Sequence, residues 1–138
     1  MALKTVLIAD DSRIFRALMS EVLQEHGLEV LQAADGREAL DTLLSKRPQL
    51  VILDALMPML SGFDVVSQLR EKAVDYQPAI FIVTAVYKSR RWESEARLQY
   101  KVDEYLEKPL EPEDLVKAIG RHFPEFLGLP GRPASDKQ

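Results

Sequence analysis

Five short apolar runs alternate along the chain with segments whose apolar residues recur at helical spacing. Runs of this length predict buried strands, and the longer periodic segments between them predict amphipathic helices. Strands separated by helices favour a parallel sheet with helices on both faces, so we expect an α/β fold. Because right-handed crossovers leave few topologies, we expect a doubly wound five-stranded parallel sheet of the flavodoxin-like (βα)5 type, with strand order 2-1-3-4-5. The predicted strands are Thr5–Ala9, Glu29–Ala33, Leu50–Leu53, Ala79–Thr84 and Glu104–Glu107.

The periodic segments predict five helices, and glycine or proline lies at several of their ends. These helices are Ser12–His26, Arg37–Arg47, Phe63–Lys72, Arg90–Tyr100 and Pro112–Arg121. The remaining segment, Pro124–Gln138, is rich in proline and glycine and predicts a tail or linker without regular structure. We therefore expect a folded domain over residues 1–123 and a C-terminal tail or linker over residues 124–138.

The composition excludes several classes of protein. The 138 residues include no cysteine, which rules out disulfides and thiolate metal sites. A net charge of −4 argues against a general surface for nucleic acid or anionic membrane. No apolar run approaches the ~20 residues that a membrane-spanning helix needs. Because the first residues lead directly into a strand pattern, no signal peptide is expected. We expect a cytoplasmic protein without direct nucleic-acid or membrane binding.

Polar residues follow three of the predicted strands. Asp10 and Asp11 follow the first strand, Asp54 follows the third, and Lys108 follows the fifth. The carboxyl ends of parallel strands share one sheet edge, where α/β proteins bind ligands. Three carboxylates gathered there would repel one another unless a cation lies among them. Since Mg²⁺ prefers oxygen ligands and often shares its coordination shell with phosphate, the sequence predicts a Mg²⁺-dependent phosphate site.

Each of these residues also has an ordinary structural interpretation. Asp10, Asp11 and Ser12 are types that favour helix N-caps, and Ser12 can cap while the acids bind metal. Asp54 could merely end a strand, and Lys108 could be an exposed loop residue. Thr84 fits a β-branched strand position, and Tyr105 fits a half-buried position in a sheet. The residues taken singly leave these alternatives open.

The joint order of the motifs is more specific than any one of them. It comprises Asp10-Asp11, Asp54 with Met57-Pro58 and Gly62, Thr84-Ala85, and Tyr105 with Lys108-Pro109. With these motifs, the chain from about Lys4 to Phe123 resembles the receiver domains of two-component response regulators. Receivers typically carry a Gly-Ala pair just before the fifth strand, whereas this chain has Lys101-Val102 there.

The resemblance implies a role for each motif residue. Asp54 would accept a phosphoryl group from a sensor histidine kinase or a phosphotransfer protein, forming an acyl phosphate. Mg²⁺ would be held by the side chains of Asp10, Asp11 and Asp54 and by the backbone carbonyl of Leu56. Lys108 would neutralise the phosphoryl charge, and its bond to Pro109 would be cis.

The resemblance also implies a conformational switch. The Thr84 hydroxyl would bind the phosphoryl group, and Tyr105 would change rotamer. The output surface would combine the predicted helix Arg90–Tyr100, the fifth strand and the last helix, and would bind a downstream protein or effector domain. Such a protein is a signalling switch, and its only catalysis is its own phosphorylation and dephosphorylation.

Two other classes remain alternatives. A pseudo-receiver would act as a protein-interaction scaffold without phosphorylation. A phosphatase of the haloacid dehalogenase type would also use an aspartate nucleophile and Mg²⁺, but it places two acids two residues apart on the first strand. Here Asp10 and Asp11 are adjacent and the candidate nucleophile, Asp54, follows the third strand, which disfavours the phosphatase.

Overall fold

The computed structural model describes residues 2–85, 98 and 100–128 of the chain. The described strands and helices match the sequence predictions to within one residue at each end. They are β1 Thr5–Ala9, α1 Arg13–Glu25, β2 Glu29–Ala33, α2 Gly36–Lys46, β3 Leu50–Asp54, α3 Gly62–Lys72, β4 Ala79–Thr84, β5 Glu104–Glu107 and α4 Pro112–His122. The predicted helix over residues 90–100 lies almost wholly outside the described residues.

The five strands form one parallel sheet with the order β2-β1-β3-β4-β5. This confirms the predicted doubly wound, flavodoxin-like fold. Every residue of β3 is buried, as expected for a central strand covered on both faces. The sheet therefore brings the carboxyl ends of β1 and β3 side by side at its centre.

Side chains cap the first turns of α1 and α2, and the cap at Ser12 is the one that the sequence suggested. Ser12 Oγ accepts a hydrogen bond from the backbone N–H of Phe15 at 3.1 Å, so α1 begins directly after the two acids. Asp35 caps α2 by accepting from Glu38 N at 2.8 Å. Capping satisfies N–H groups that the first turn of a helix leaves without partners. These two caps define where the loops after β1 and β2 end.

Two apolar clusters lie on opposite faces of the sheet. One packs under α1 and α4, and the other packs under α2 and α3. The largest fully buried side chains include Phe81, Leu7 and Met19. Among the described helices, none combines the length and the hydropathy that crossing a membrane requires.

The predicted absence of regular structure after residue 123 is wrong for the first part of that segment. Pro124–Gly128 forms a 3-10 helix, and Phe126 is fully buried in the cluster under α1 and α4. The rings of Phe126 and His26 stack with centroids 5.0 Å apart. The hydrophobic gain from burying one phenylalanine overrides the local proline and glycine signal. The later residues of the segment are not described, so the division at residue 123 stays a prediction.

We expect Phe126→Ala to lower the free energy of unfolding by about 3 to 5 kcal/mol, because it removes a buried aromatic ring and leaves a cavity. The neighbouring exposed residue provides the control: Glu125→Ala should change stability by no more than about 0.5 kcal/mol. Urea denaturation followed by circular dichroism measures both. Equal small effects of the two substitutions would show that the 3-10 helix is not part of the core.

Candidate functional site

The strand register places the predicted site residues at one edge of the sheet. Ala9 of β1 lies opposite Leu53 of β3, so Asp10 and Asp54 follow neighbouring positions on adjacent strands. Thr84 ends β4 opposite Glu107 of β5, and Lys108 comes next in the chain. This geometry follows from parallel pairing, because parallel strands end on the same side.

Three carboxylates converge at this edge. Asp10, Asp11 and Asp54 each offer one oxygen, and these oxygens all lie within 4.8 Å of one another. Asp10 and Asp54 are buried, whereas Asp11 is exposed. An octahedral Mg²⁺ with bonds of about 2.1 Å places its ligand atoms about 3 to 4 Å apart. The three oxygens therefore fit a Mg²⁺ site after small adjustments.

Backbone N–H groups orient the two buried acids. Asp10 Oδ1 accepts a hydrogen bond from Ser12 N at 2.8 Å, so the residue that caps α1 also binds the first acid. Asp54 Oδ1 accepts a bond from Leu56 N at 3.2 Å. Sequence reasoning left capping and metal binding open for the Asp10–Ser12 segment, and the observed geometry is compatible with both.

Lys108 is the cation that faces the acids. Its Nζ lies 2.7 Å from Asp10 Oδ2 and 3.7 Å from Asp54 Oδ2, and its side chain is mostly buried. Its backbone N–H donates to the Thr84 carbonyl at 2.9 Å, which ties the lysine to the end of β4. The Lys108–Pro109 peptide bond is cis, as the resemblance implied. Lys108 is thus held where it can reach a group attached to Asp54.

Burial raises the pKa of the Asp54 carboxyl above its ordinary value, and the negative charge of Asp10 raises it further. The N–H of Leu56 and the ammonium of Lys108 oppose this shift in part. Ionisation of Asp54 therefore costs more free energy in the metal-free protein than in water, because the carboxylate is partly desolvated and lies beside other negative charges.

Two glycines leave room for the loop that follows Asp54. A Cβ on Gly62 would lie 2.5 Å from the Asp54 carbonyl oxygen, and a Cβ on Gly36 would lie 2.0 Å from the Leu60 carbonyl oxygen. Gly36 N donates to the Pro58 carbonyl at 3.1 Å, and Gly62 N donates to the Ala55 carbonyl at 2.9 Å. The loop is clamped between the first residues of α2 and α3, which fixes the backbone that carries Asp54.

The other predicted residues lie nearby in different environments. Thr84 is buried at the end of β4, and Tyr105 is buried in β5 against the cluster under α2 and α3. Leu56, whose backbone N–H binds Asp54, is 49% exposed. The structure brings Asp10, Asp11, Asp54 and Lys108 into one cluster, with Thr84 at the adjoining strand end. The functional roles of all these residues stay predictions.

Sequence reasoning missed two residues around this cluster. Arg16 donates from Nη1 to the Asp10 carbonyl at 2.7 Å and from Nε to Gln32 at 3.1 Å. Phe15 places its ring beside Lys108, with Nζ 4.5 Å from the ring centroid. Both residues fit the ordinary pattern of a helix. Gln32 and Lys108 lie far along the chain from Arg16 and Phe15, so the local sequence carried no signal of these two contacts.

Comparisons with known proteins agree with this geometry. Residues 6–120 match the family model of the response regulator receiver domain. The chain is 33% identical over 121 residues to the alkaline phosphatase synthesis transcriptional regulatory protein PhoP of Bacillus subtilis, covering 86% of this chain and 49% of PhoP. It is 40% identical over 111 residues to the response regulator MprA of Mycolicibacterium vanbaalenii, covering 80% of this chain and 46% of MprA. The chain thus spans about half the length of these relatives.

A solved structure shows the same fold. The chemotaxis response regulator CheY4 of Vibrio cholerae superposes with a TM-score of 0.78 at 34% identity, covering 87% of this chain and 98% of that chain.

The raised pKa of Asp54 predicts a pH-dependent loss of stability in the metal-free protein. An acid whose pKa is higher in the folded state destabilises the fold once the pH exceeds its unfolded pKa, and the full cost is reached above the folded pKa. In EDTA, Asp54→Asn should therefore be more stable than the wild type at pH 7. The difference should shrink as the pH falls towards the ordinary carboxyl pKa.

Urea denaturation between pH 4 and pH 7 measures this difference, and Asp41→Asn on the exposed face of α2 controls for the loss of one negative charge. A wild-type protein that is as stable as Asp54→Asn at pH 7 would contradict the electrostatic argument.

Proposed function

Because this chain belongs to the response regulator receiver domain family, we propose that it is a switch that accepts a phosphoryl group on Asp54. One observation carries the proposal. The Asp54 carboxylate lies among two further acids and a lysine at the carboxyl edge of the sheet. A carboxylate nucleophile, a cation-binding acid pair and a fixed ammonium are the groups that phosphoryl transfer to a side chain requires.

We propose a phosphohistidine of a sensor histidine kinase or a phosphotransfer protein as the donor. A carboxylate oxygen of Asp54 attacks the phosphorus and forms a P–O bond, while the P–N bond breaks and the imidazole leaves with its electron pair. Lys108 neutralises the phosphoryl oxygens, since its Nζ lies 3.7 Å from the nucleophile's carboxylate. The hydroxyl of Thr84, at the adjoining strand end, then binds one phosphoryl oxygen.

Asp10, Asp11 and Asp54 would hold Mg²⁺ together with the backbone carbonyl of Leu56. The convergence of three carboxylate oxygens within 4.8 Å supports this set. The ion would supply a Lewis acid that stabilises charge on the transferring group. Asp10 also bonds Ser12 N, so the ligand is oriented before any cation arrives.

The phosphorylated site would shift an equilibrium between two conformations, and Thr84 and Tyr105 would connect the site to the protein surface. Tyr105 is buried in β5. Arg121 and His122 of α4 bind Glu104 of β5 at 3.1 and 2.8 Å, so β5 and α4 form one unit. We propose that this unit and the predicted helix over residues 90–100 form the output surface. A partner would respond only if its affinity differs between the two states.

The downstream partner would be a protein or an effector domain. PhoP is named as a transcriptional regulatory protein, so the expected absence of direct nucleic-acid binding stays a prediction. The expected location in the cytoplasm stays a prediction as well.

Intact mass after treatment with acetyl phosphate and Mg²⁺ tests the proposal. We expect one added phosphate on the wild type, none on Asp54→Asn, and one on the control Asp41→Asn. An adduct on Asp54→Asn at the wild-type level would exclude Asp54. Steady hydrolysis without an adduct would favour a phosphatase, and no reaction in any variant would favour a scaffold.

Metal binding has a separate test in thermal unfolding. Mg²⁺ at 100 times its Kd should stabilise the wild type by about 2.7 kcal/mol, because the ion binds only the folded state. Asp11→Asn should remove most of this gain with little harm to the fold, since Asp11 is exposed. The same gain in wild type and Asp11→Asn would refute the ligand assignment.

A further inference from the structure

The ring of Phe15 lies against the ammonium group of the site lysine. Lys108 Nζ is 4.5 Å from the centroid of the ring. Phe15 is partly buried and packs on the apolar cluster under α1 and α4. Its backbone N–H is bonded to Ser12 Oγ at 3.1 Å, so the ring is carried by the first turn of α1. This turn follows Asp10 and Asp11 directly in the chain.

A cation near the face of an aromatic ring is attracted by the negative charge of the π face. The lysine side chain is a flexible four-carbon stem, and its charged end can take many positions unless contacts restrict it. Here Asp10 Oδ2 at 2.7 Å, Asp54 Oδ2 at 3.7 Å and the Phe15 ring surround Nζ. Both acids are proposed metal ligands. Of these three contacts, only the one with the Phe15 ring does not depend on a residue that is proposed to bind the metal.

We propose that Phe15 is a positioning residue for phosphoryl transfer, whose ring holds Lys108 Nζ within reach of the oxygens of a phosphoryl group on Asp54. This inference rests on the proposed function. Nζ lies 2.7 Å from Asp10 Oδ2 and 3.7 Å from Asp54 Oδ2, so a shift of about 1 Å would bring it to hydrogen-bond distance of the Asp54 carboxylate. Because Nζ is 4.5 Å from the ring centroid, a shift of that size keeps it inside the range of about 6 Å over which a cation and an aromatic ring attract. Phe15 thus keeps the lysine at the site in both positions.

Fluorination of the ring tests the proposal, because fluorine withdraws charge from the π face with little change of shape. Phe15 is replaced with its 4-fluoro, 3,5-difluoro and 3,4,5-trifluoro analogues. The initial rate of phosphorylation by acetyl phosphate with Mg²⁺ is measured by intact mass. We expect the logarithm of the rate to fall with each added fluorine, by about three- to tenfold over the series. Phe15→Leu, which keeps apolar bulk without a π face, should be at least as slow as the trifluoro variant.

The same fluorination at Phe123 is the matched control. Phe123 is also partly buried against the cluster under α1 and α4, but it follows α4 at the opposite edge of the sheet. Fluorine there should leave the rate unchanged. A rate that is constant across the Phe15 series, or that rises with fluorine, overturns the proposal. Equal slowing in the Phe15 and Phe123 series also overturns it, because the effect would then be one of packing.

Unfolding without phosphodonor or Mg²⁺ gives a second measurement that does not depend on phosphorylation. The fluorinated Phe15 proteins should show a stepwise loss of stability with Lys108 present and none in the Lys108→Met background. If fluorination lowers the stability equally with Lys108 and with Lys108→Met, the ring does not hold the ammonium and the proposal is wrong. A wild-type chain that takes up no phosphate refutes the proposed function and with it the positioning role, while the unfolding series still shows whether the ring holds the ammonium.

Discussion

Mutual repulsion among Asp10, Asp11 and Asp54 is the constraint on which the site depends. With the ammonium of Lys108 beside them, these four side chains carry a formal charge of −2. Burial of Asp10 and Asp54 makes that excess more costly, because the charges lose hydration. The raised pKa of Asp54 is one result of this cost. A divalent cation matches the excess in charge, and this balance is the physical reason for expecting Mg²⁺ and phosphate chemistry here.

The rest of the structure keeps these groups from moving apart. The central strands β1 and β3 are buried and paired in register, so Asp10 and Asp54 cannot separate without breaking the core of the sheet. Gly36 and Gly62 allow the loop after Asp54 to pack against two helix starts at distances that a Cβ would prevent. The hydrophobic core of the sheet therefore holds the three carboxylates together against their mutual repulsion. The site is thus assembled before any ligand binds.

The two aromatic contacts at the ends of α1 illustrate how this helix connects the site with the remainder of the fold. At its start, Phe15 lies beside Lys108. Just after its end, the ring of His26 stacks on Phe126, which belongs to the 3-10 helix after α4. Lys101 shows a different local constraint, since it has a φ of 57° where receivers typically carry glycine. A lysine in that backbone region costs stability that a glycine would not.

The sequence by itself determined the strand order, the positions of the four described α-helices and the identities of Asp10, Asp11, Asp54 and Lys108 as residues at strand ends. Periodicity and capping can be predicted from the sequence because they depend on residues close together in the chain. The shared edge can be predicted as well, because the ends of parallel strands lie on the same side of the sheet. Only the tertiary structure decided the contacts of Lys108 with Asp10 and Phe15, the clearance at Gly36 and Gly62, and the burial of Phe126. Each of these depends on distances between residues remote in the chain. The packing of helices and strands against one another sets such distances, and they cannot be predicted from the local sequence pattern.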